Sequence, residues 1–279
     1  MGKYKGNKGN LMQHWTLCEV LLIANCHHSS LNYIDAHAMA PFAATRKGND
    51  PVFDHVRDNL ANGQSVYEQA WKELTSDCPG TYPNSANFVQ HLWRGDLSML
   101  LCEKDAGIAA RLKAWVDDLR QSEKLRCGKV HHGDWRERFC QGLPNPVDAG
   151  LPEDALTLVS FHPYMISDRT HRYMEDPGNL YPQDMGAIGQ ALEDVKGAVV
   201  VQMSTYSING PNPQPDITSL VDKSLRVYGL ERVAKTRTGG DMMSLIYARN
   251  VDWACGELKS LGDRFTDWLD AQRKAAKRT

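Results

Sequence analysis

Two short apolar runs in the second half of the chain constrain the fold more than any other feature. Residues 197–203 contain three consecutive valines, and residues 155–160 form a similar run without a charged side chain. A continuous apolar run, in place of an alternating one, is typical of a strand that is buried on both faces of a parallel sheet. Helical patterns at 185–195 and 217–225 follow these runs in turn. The alternation of strands and helices therefore predicts an α/β fold with a doubly wound parallel sheet.

The first half of the chain extends this pattern and interrupts it once. An amphipathic helix is predicted over residues 11–26, and a short strand over 31–34 ends at Asp35. Residues 45–80 are polar, contain several glycines and prolines, and include helical patterns at 52–60 and 65–74. Because loops between strands and helices in α/β units are normally a few residues long, we interpret 45–80 as a helical insertion after the first strand. The whole chain, residues 1–279, is predicted to be one domain that carries this inserted subdomain.

Further elements complete the predicted sheet. Helices are expected at 85–92 and 107–119, and strands at 96–102, 129–131 and 242–248. A terminal helix is predicted over 251–274, with Gly256 and Gly262 as its weak points. No strand is assigned between residues 225 and 242, where Arg232, Lys235 and Arg237 form a basic cluster. This cluster is interpreted as a solvated face, with phosphate contact as the alternative.

Composition limits the class of protein. The chain has 42% hydrophobic and 24% charged residues, as in globular domains, and no apolar run approaches the roughly 20 residues that span a bilayer. Its N-terminus lacks the apolar region of a signal peptide, and its seven cysteines include no C-x-x-C pair. A cytoplasmic protein with no membrane contact and no metal site is therefore expected. The net charge of −2 argues against a protein dedicated to coating nucleic acid.

Polar residues follow the predicted strands where a ligand crevice is expected. The carboxyl ends of parallel strands open onto such a crevice, and Phe161-His162-Pro163-Tyr164 follows the run at 155–160. Glu103 follows strand 96–102, where an acid can accept hydrogen bonds from both hydroxyls of a ribose, and Asp134 could accept from an adenine amine. Ser85 opens a predicted helix and could bind a carboxylate. Each also has an ordinary interpretation: Ser85 as a helix cap, Glu103 as a solvated loop acid, and Asp134 as a turn former.

Five segments, in order, resemble ribosomal RNA adenine-N6 methyltransferases of the RlmJ type. They are Gly6 to His14, Ile34-Asp35-Ala36-His37-Ala38, Tyr82-Pro83-Asn84-Ser85, Leu101-Cys102-Glu103, and Gly133-Asp134-Trp135 joined to Phe161-His162-Pro163-Tyr164. The last tetrapeptide is similar to the family's catalytic Asp-Pro-Pro-Tyr. The resemblance implies a Rossmann-like sheet, S-adenosylmethionine as cofactor and RNA or a nucleotide-like molecule as substrate. It implies a cofactor site that includes His14, Asp35, His37, Ser85, Glu103 and Asp134, and an acceptor site that includes Phe161, His162 and Tyr164.

The sequence departs from that family at two functional places. The family's cofactor loop reads Ala-Gly-Ala-Gly, whereas here Met39 adds bulk and Pro41 removes a backbone donor. Phe161 replaces the catalytic Asp and cannot accept a proton. His162 could replace the acid as an acid-base group, and Tyr164 could stack on a flipped base. Alternatively, His162 is only tolerated in a tight turn and Tyr164 belongs to the core.

Three functions remain open at this point. The first is a divergent S-adenosylmethionine-dependent methyltransferase acting on RNA or a nucleotide-like substrate. The second is a catalytically lapsed member of the fold that serves as an RNA- or protein-binding module. The third is an enzyme of other chemistry that uses His14, His37 and His162 in the same crevice.

Overall fold

A seven-stranded sheet forms the centre of the molecule. The computed structural model describes residues 6–46, 50–163, 166, 180–206, 217–238 and 242–278. The strands of the central sheet are β1 (Ser30–Asp35), β4 (Asp96–Glu103), β5 (Cys127–His132), β6 (Leu156–Phe161), β7 (Val199–Tyr206), β8 (Glu231–Arg237) and β9 (Met242–Arg249), and a separate ribbon pairs β2 (Phe42–Ala44) with β3 (Thr81–Pro83).

The order of the strands defines the fold. The sheet runs β5-β4-β1-β6-β7-β9-β8, and the first five of these strands pair in parallel. Counted along the chain, the parallel strands lie in the order third, second, first, fourth and fifth, as in Rossmann-like sheets. The order reverses between β1 and β6, so the ligand crevice is expected outside the carboxyl ends of these two strands. The predicted parallel sheet thus needs one correction, because β9 runs antiparallel to both β7 and β8.

Helices cover both faces of the sheet. Side chains of α1, α4, α5 and α10 share one hydrophobic cluster with one face, and side chains of α6, α7 and α8 share a second cluster with the other face. The helices are α1 (Lys8–Ala24), α2 (Pro51–Asp58), α3 (Val66–Leu74), α4 (Ser85–Leu92), α5 (Ala106–Gln121), α6 (Trp135–Cys140), α7 (Pro182–Glu193), α8 (Ile217–Arg226), α9 (Ala254–Glu257) and α10 (Leu261–Ala276).

The segment interpreted as an insertion contains two helices, α2 and α3. Phe53 of α2 and Trp71 of α3 are fully buried and pack against each other and against Tyr82 of β3. These side chains belong to the same hydrophobic cluster as α1. The inserted helices therefore share a core with the main sheet. The division into one domain and an inserted subdomain stays a prediction.

Strand β8 is an element that the sequence analysis missed. Its basic cluster, read as a solvated face, belongs to the edge strand of the sheet: Ala234 and Thr236 are buried, whereas Arg232 and Arg237 are exposed. Arg232 pairs with Asp222 of α8 at 3.0 Å. Charged side chains on an edge strand hinder pairing with another chain. These residues therefore have a structural role that needs no bound phosphate.

The terminal helix predicted at 251–274 is divided. A 3₁₀ turn, Leu258–Ser260, separates α9 from α10. Gly262 was expected to weaken the helix, but it allows α10 to pack closely against β8. A Cβ at this position would lie 2.6 Å from the backbone oxygen of Lys235. No helix among the described residues is long and apolar enough to cross a membrane. The six cysteines for which the structure gives a state are free thiols.

Candidate active site

The carboxyl ends of the parallel strands bring the predicted site residues to one edge of the sheet. Asp35 ends β1, Glu103 ends β4 and Phe161 ends β6, while Asp134 follows β5 by two residues. The register aligns these ends, since Asp35 lies beside Leu101 of β4 and Ser160 of β6. Two adjoining cavities open at this edge, which we call the histidine cavity and the acid cavity.

The histidine cavity has a volume of about 320 Å³. It lies between the first turns of α1, the start of α4 and the end of β6. Polar groups from these three elements converge on its wall. The residues that form it include Asn10, Gln13, His14, His37, Met39, Tyr82, Asn84, Ser85, His162, Ser204, Thr205 and Met242.

Ser85 lies at the centre of a hydrogen-bond network in this cavity. Its Oγ is 3.0 Å from Nε2 of His14 and 3.1 Å from Nε2 of His162. The side-chain amide of Gln13 donates to the same oxygen at 3.2 Å. Three residues that are distant in the sequence are therefore joined through one hydroxyl, and the predicted residues His14, Ser85 and His162 are brought together.

Tyr82 fixes the orientation of His14. The Tyr82 hydroxyl lies 3.2 Å from the backbone oxygen of Asn10, 3.1 Å from the Tyr67 hydroxyl and 2.6 Å from Nδ1 of His14. In the arrangement where it donates to Asn10, it accepts from Nδ1–H of His14. Nε2 of His14 is then an acceptor for the Ser85 hydroxyl. His162 can in turn donate from its Nε2 to the Ser85 oxygen. Burial lowers the pKa of His14 to about 3, which keeps the ring neutral and the pattern of donors stable.

His37 occupies the boundary of the two cavities. Its Nδ1 accepts the backbone N–H of His162 at 3.2 Å, so the proton of the neutral ring is on Nε2. That nitrogen is buried and has no hydrogen-bond partner among the residues the structure describes. Burial, with a smaller contribution from Arg136, lowers the pKa of His37 to about 3. His37 therefore places a neutral, buried N–H donor in the wall that the two cavities share.

Asp35 lies beneath this network. It is 1% exposed, and its Oδ1 accepts the backbone N–H of His37 at 3.0 Å while Oδ2 accepts the Tyr33 hydroxyl at 3.2 Å. Oδ1 is also 3.8 Å from Nε2 of His162. Burial raises the pKa of Asp35 to about 7. Its contacts hold the loop after β1 in place, and it is not among the described residues that line either cavity.

The acid cavity has a volume of about 190 Å³ and contains two of the predicted acids, Glu103 and Asp134. Glu103 is half-buried, and its Oε1 accepts the backbone N–H of Asp105 at 2.8 Å. Burial raises the pKa of Glu103. Asp134 caps α6 by accepting the backbone N–H of Arg136 at 2.9 Å, and it also pairs with the guanidinium of Arg136 at 3.3 Å. Asp134 is thus both a helix cap and part of the cavity wall.

The loop from Ala36 to Pro41 is held by the start of α4. The side chain of Asn84 donates to the backbone oxygen of Met39 at 2.8 Å, and its backbone N–H donates to Pro41 at 3.0 Å. The side chain of Asn87 donates to the same Pro41 oxygen at 2.5 Å. Sequence reasoning assigned no role to Asn84 or Asn87. Asn84 falls within the quoted segment Tyr82-Pro83-Asn84-Ser85, which is the signal that could have indicated it.

Phe161 differs from its predicted place in the acceptor site. Its side chain is 0% exposed and packs against Trp135 and Phe139, with ring centroids 5.2 Å and 5.5 Å away. It belongs to the hydrophobic cluster on the α6 to α8 face of the sheet. This placement gives no support to contact with a substrate. Tyr164, predicted to stack on a base, lies outside the described residues.

No metal centre accompanies these cavities in the part of the chain that the structure covers. The described residues contain no group of three or more histidine, cysteine, aspartate or glutamate side chains that could hold a metal ion. His27 instead stacks on Trp253, with centroids 5.1 Å apart, and His28 accepts the indole N–H of Trp253.

Comparison with known proteins agrees with this fold. No family model and no curated protein matches the sequence. Among solved structures, protein LPL1258 from Legionella pneumophila, of the family model DUF519, superposes with a TM-score of 0.57 at 16% identity, covering 92% of this chain and 93% of that one. The putative methyltransferase yhhF from Escherichia coli is more distant, with a TM-score of 0.39 at 12% identity and coverage of 84% and 83%. A methyltransferase from Aquifex aeolicus has a TM-score of 0.39 at 8% identity, with coverage of 86% and 96%.

The strand order and the similarity to LPL1258 over nearly the full length of both chains confirm the predicted fold class. The chain has a Rossmann-like α/β fold. At 16% identity the similarity concerns the fold alone. Membership of the RlmJ family, the roles of the site residues and the cytoplasmic location stay predictions.

Proposed function

We propose that this protein is a methyltransferase that uses S-adenosylmethionine and acts on RNA or a nucleotide-like substrate. The observation that carries the proposal is the pair of adjoining cavities at the switch point of the sheet. One contains the acids Glu103 and Asp134, and the other contains Ser85 between His14 and His162. The substrate class comes from the resemblance of the five sequence segments to RNA methyltransferases.

The acid cavity suits the nucleoside half of the cofactor. Glu103 uses Oε1 for the Asp105 N–H, which leaves lone pairs of the carboxylate for ribose hydroxyls. Asp134 lies on the same wall and has a carboxylate that can accept from an exocyclic amine. Trp135 and Cys102 add apolar surface beside them. The donors and acceptors present therefore match a nucleoside.

The histidine cavity suits the amino-acid half of the cofactor and the acceptor. Ser85 is the first residue of α4, and the Gln13 amide lies against its hydroxyl. A carboxylate near a helix N-terminus is stabilised by the backbone N–H groups and the helix dipole. When bound, S-adenosylmethionine would supply an electrophilic methyl group on its sulfonium. The chain itself would supply position and a proton acceptor.

His162 is the residue we propose as that proton acceptor. Burial lowers its pKa well below the ordinary value, so the ring is neutral and a weak base. It would take a proton only from the strongly acidic ammonium group that methylation of an amine creates. With Nε2–H directed to Ser85, the lone pair is on Nδ1, which has no partner within the described structure. Phe161 is buried in the core and cannot take this role. Proton transfer would therefore pass to His162 in place of the family's aspartate.

Calorimetry of cofactor binding tests the proposal. The protein should bind S-adenosylmethionine or S-adenosylhomocysteine, and Glu103→Ala should weaken binding by roughly tenfold, since it removes hydrogen bonds to a charged acceptor. Glu153→Ala is the matched control, because Glu153 is an exposed acid paired with Lys196 and lies before β6, at the opposite end of the strand. Absence of any binding at millimolar ligand would overturn the proposal.

A second candidate is a catalytically lapsed member of the fold that binds RNA or protein. Two observations favour it: Phe161 stands in the core at the position of the family's acid, and Met39 stands between the cavities. This candidate predicts salt-dependent RNA retention without cofactor binding, because phosphate contacts weaken steeply with salt. Detectable methyl transfer to RNA would exclude it.

A further inference from the structure

The two cavities meet at two side chains. Among the residues that the structure describes, His37 and Met39 are the two that line both the histidine cavity and the acid cavity. A ligand that fills both cavities, as the cofactor of the proposed function would, has to pass between or beside these side chains. The side chains at this junction therefore determine whether one ligand can occupy both cavities at once.

His37 is the fixed side of the junction. Its ring is held by the His162 N–H at Nδ1 and lies near Trp135 and Phe161, with centroids 6.1 Å and 6.3 Å away. Its backbone N–H is bound by the buried carboxyl of Asp35. Movement of this ring would break contacts on several sides. A spanning ligand is therefore accommodated by the other side of the junction.

Met39 is the movable side of the junction. Its side chain is 44% exposed, although methionine is an apolar residue. Its backbone is fixed independently, because Asn84 donates to the Met39 oxygen and both Asn84 and Asn87 donate to Pro41. Shortening the side chain should consequently leave the loop in place. An unbranched side chain with three rotatable bonds can move aside, at the cost of restricted rotamers.

We infer that Met39 determines ligand specificity in this crevice. An adenosyl ligand has a nucleoside half and an amino-acid half, and Met39 reduces the affinity that the amino-acid half contributes. The inference rests on the proposed function for the identity of the ligand. Its physical content is independent, since it concerns the difference between a ligand confined to the acid cavity and one that spans both cavities. In the native protein, this difference is small because Met39 must be displaced.

Calorimetry with two probes measures that difference. S-adenosylhomocysteine spans both halves, and adenosine represents the nucleoside half. Met39→Ala should tighten S-adenosylhomocysteine binding by roughly three- to tenfold, which corresponds to the cost of displacing one side chain, and leave adenosine binding within about twofold. Met39→Leu retains the bulk and should keep the native ratio. Leu22→Ala is the matched control, since Leu22 of α1 is also 44% exposed and is not part of either cavity wall as described.

The outcomes separate this inference from the proposed function. If the native protein and Met39→Ala prefer S-adenosylhomocysteine over adenosine to the same extent, the inference is overturned and the proposed function is unaffected. Weaker S-adenosylhomocysteine binding by Met39→Ala would also overturn it, because Met39 would then be a favourable contact. Binding that appears only in Met39→Ala would support the inference and contradict the function of the native protein. Absence of binding in both proteins would overturn both.

Discussion

At the scale of single residues, the hydroxyl of Tyr82 is expected to stabilise the folded protein through His14. Tyr82→Phe removes the hydroxyl 2.6 Å from the buried Nδ1 of His14 and 3.1 Å from the buried hydroxyl of Tyr67. An unsatisfied buried donor costs about 1–3 kcal/mol, so the free energy of unfolding should fall by that amount. Urea denaturation monitored by tryptophan fluorescence measures the change.

Tyr247→Phe is the control for this prediction. Tyr247 is also fully buried, and its hydroxyl donates to Asp222 at 2.8 Å. Asp222 keeps Arg232 as a partner after the substitution. The loss of stability should therefore be smaller for Tyr247→Phe than for Tyr82→Phe, and the reverse order would contradict the role given to Tyr82.

The sequence predicted which residues to examine at this scale better than it predicted their contacts. His14, Ser85 and His162 were singled out, and the structure joins them through one hydroxyl. The hydrogen bonds of His14 depend on Tyr82, which only the folded chain brings beside α1. Phe161 could not be placed from its motif, because the motif does not show which face of the sheet a strand-end side chain takes.

At the scale of elements, the contact between α10 and β8 depends on a residue without a side chain. Gly262→Ala should destabilise the protein by about 1–3 kcal/mol, because its Cβ would lie 2.6 Å from the Lys235 oxygen and the helix would have to shift. Gly186→Ala in α7 should stabilise by about 0.5–1 kcal/mol, since nothing lies within 4 Å of the added carbon and alanine favours a helix. Thermal unfolding of both variants is the measurement. Equal effects in the two helices would contradict close packing at Gly262.

The elements that sequence reasoning found are those with strong periodicity or unbroken apolar runs, such as β6, β7 and α5. It missed β8 because the strand has one buried side, a register shift between Arg232 and Ala234, and charged residues toward solvent. It missed β2 and β3 because each has three residues. Strands of that length carry no period of their own and exist through their pairing with each other.

At the scale of the whole molecule, buried titratable groups should make stability depend on pH in two opposing ways. The pKa values of His14 and His37, lowered by burial to about 3, lie below the unfolded value, so their contribution is present above pH 6.5 and is lost as the pH falls toward 3. The pKa of Asp35, raised by burial to about 7, has the reverse effect: its contribution is present below pH 3.8 and is lost as the pH rises through 7.

Asp35→Asn should expose the effect of the histidines. Without the compensating acid, the free energy of unfolding should fall between pH 7 and pH 5 by about 2 kcal/mol more than in the native protein, as the displaced pKa of one buried acid implies. Asp148→Asn, at an exposed loop acid, is the control and should follow the native curve. Urea denaturation at several pH values gives the comparison. A native-like slope in Asp35→Asn would contradict the raised pKa of Asp35.

The doubly wound sheet, and so its cover of helices on both faces, followed from the sequence pattern together with the resemblance to one family. The antiparallel β9 did not, because a buried strand has the same apolar pattern in either direction. The position of the crevice was predictable once the fold was, because the topology places the carboxyl ends of the parallel strands at one edge of the sheet. The meeting of two cavities at His37 and Met39 depends on loop geometry that no periodicity records.

Helix α1 packs against the last helix as well as against the sheet. Trp15 lies 5.3 Å from Phe265 and 6.1 Å from Trp268 between ring centroids, and Glu19 pairs with Arg264 at 2.6 Å. During synthesis, α1 is made long before α10, so the part of α1 that α10 covers stays open until the chain has been made as far as α10. Contacts between such distant parts of a sequence form slowly, and exposed apolar surface on unfinished chains promotes aggregation. We therefore expect the docking of α10 on α1 to come late in folding.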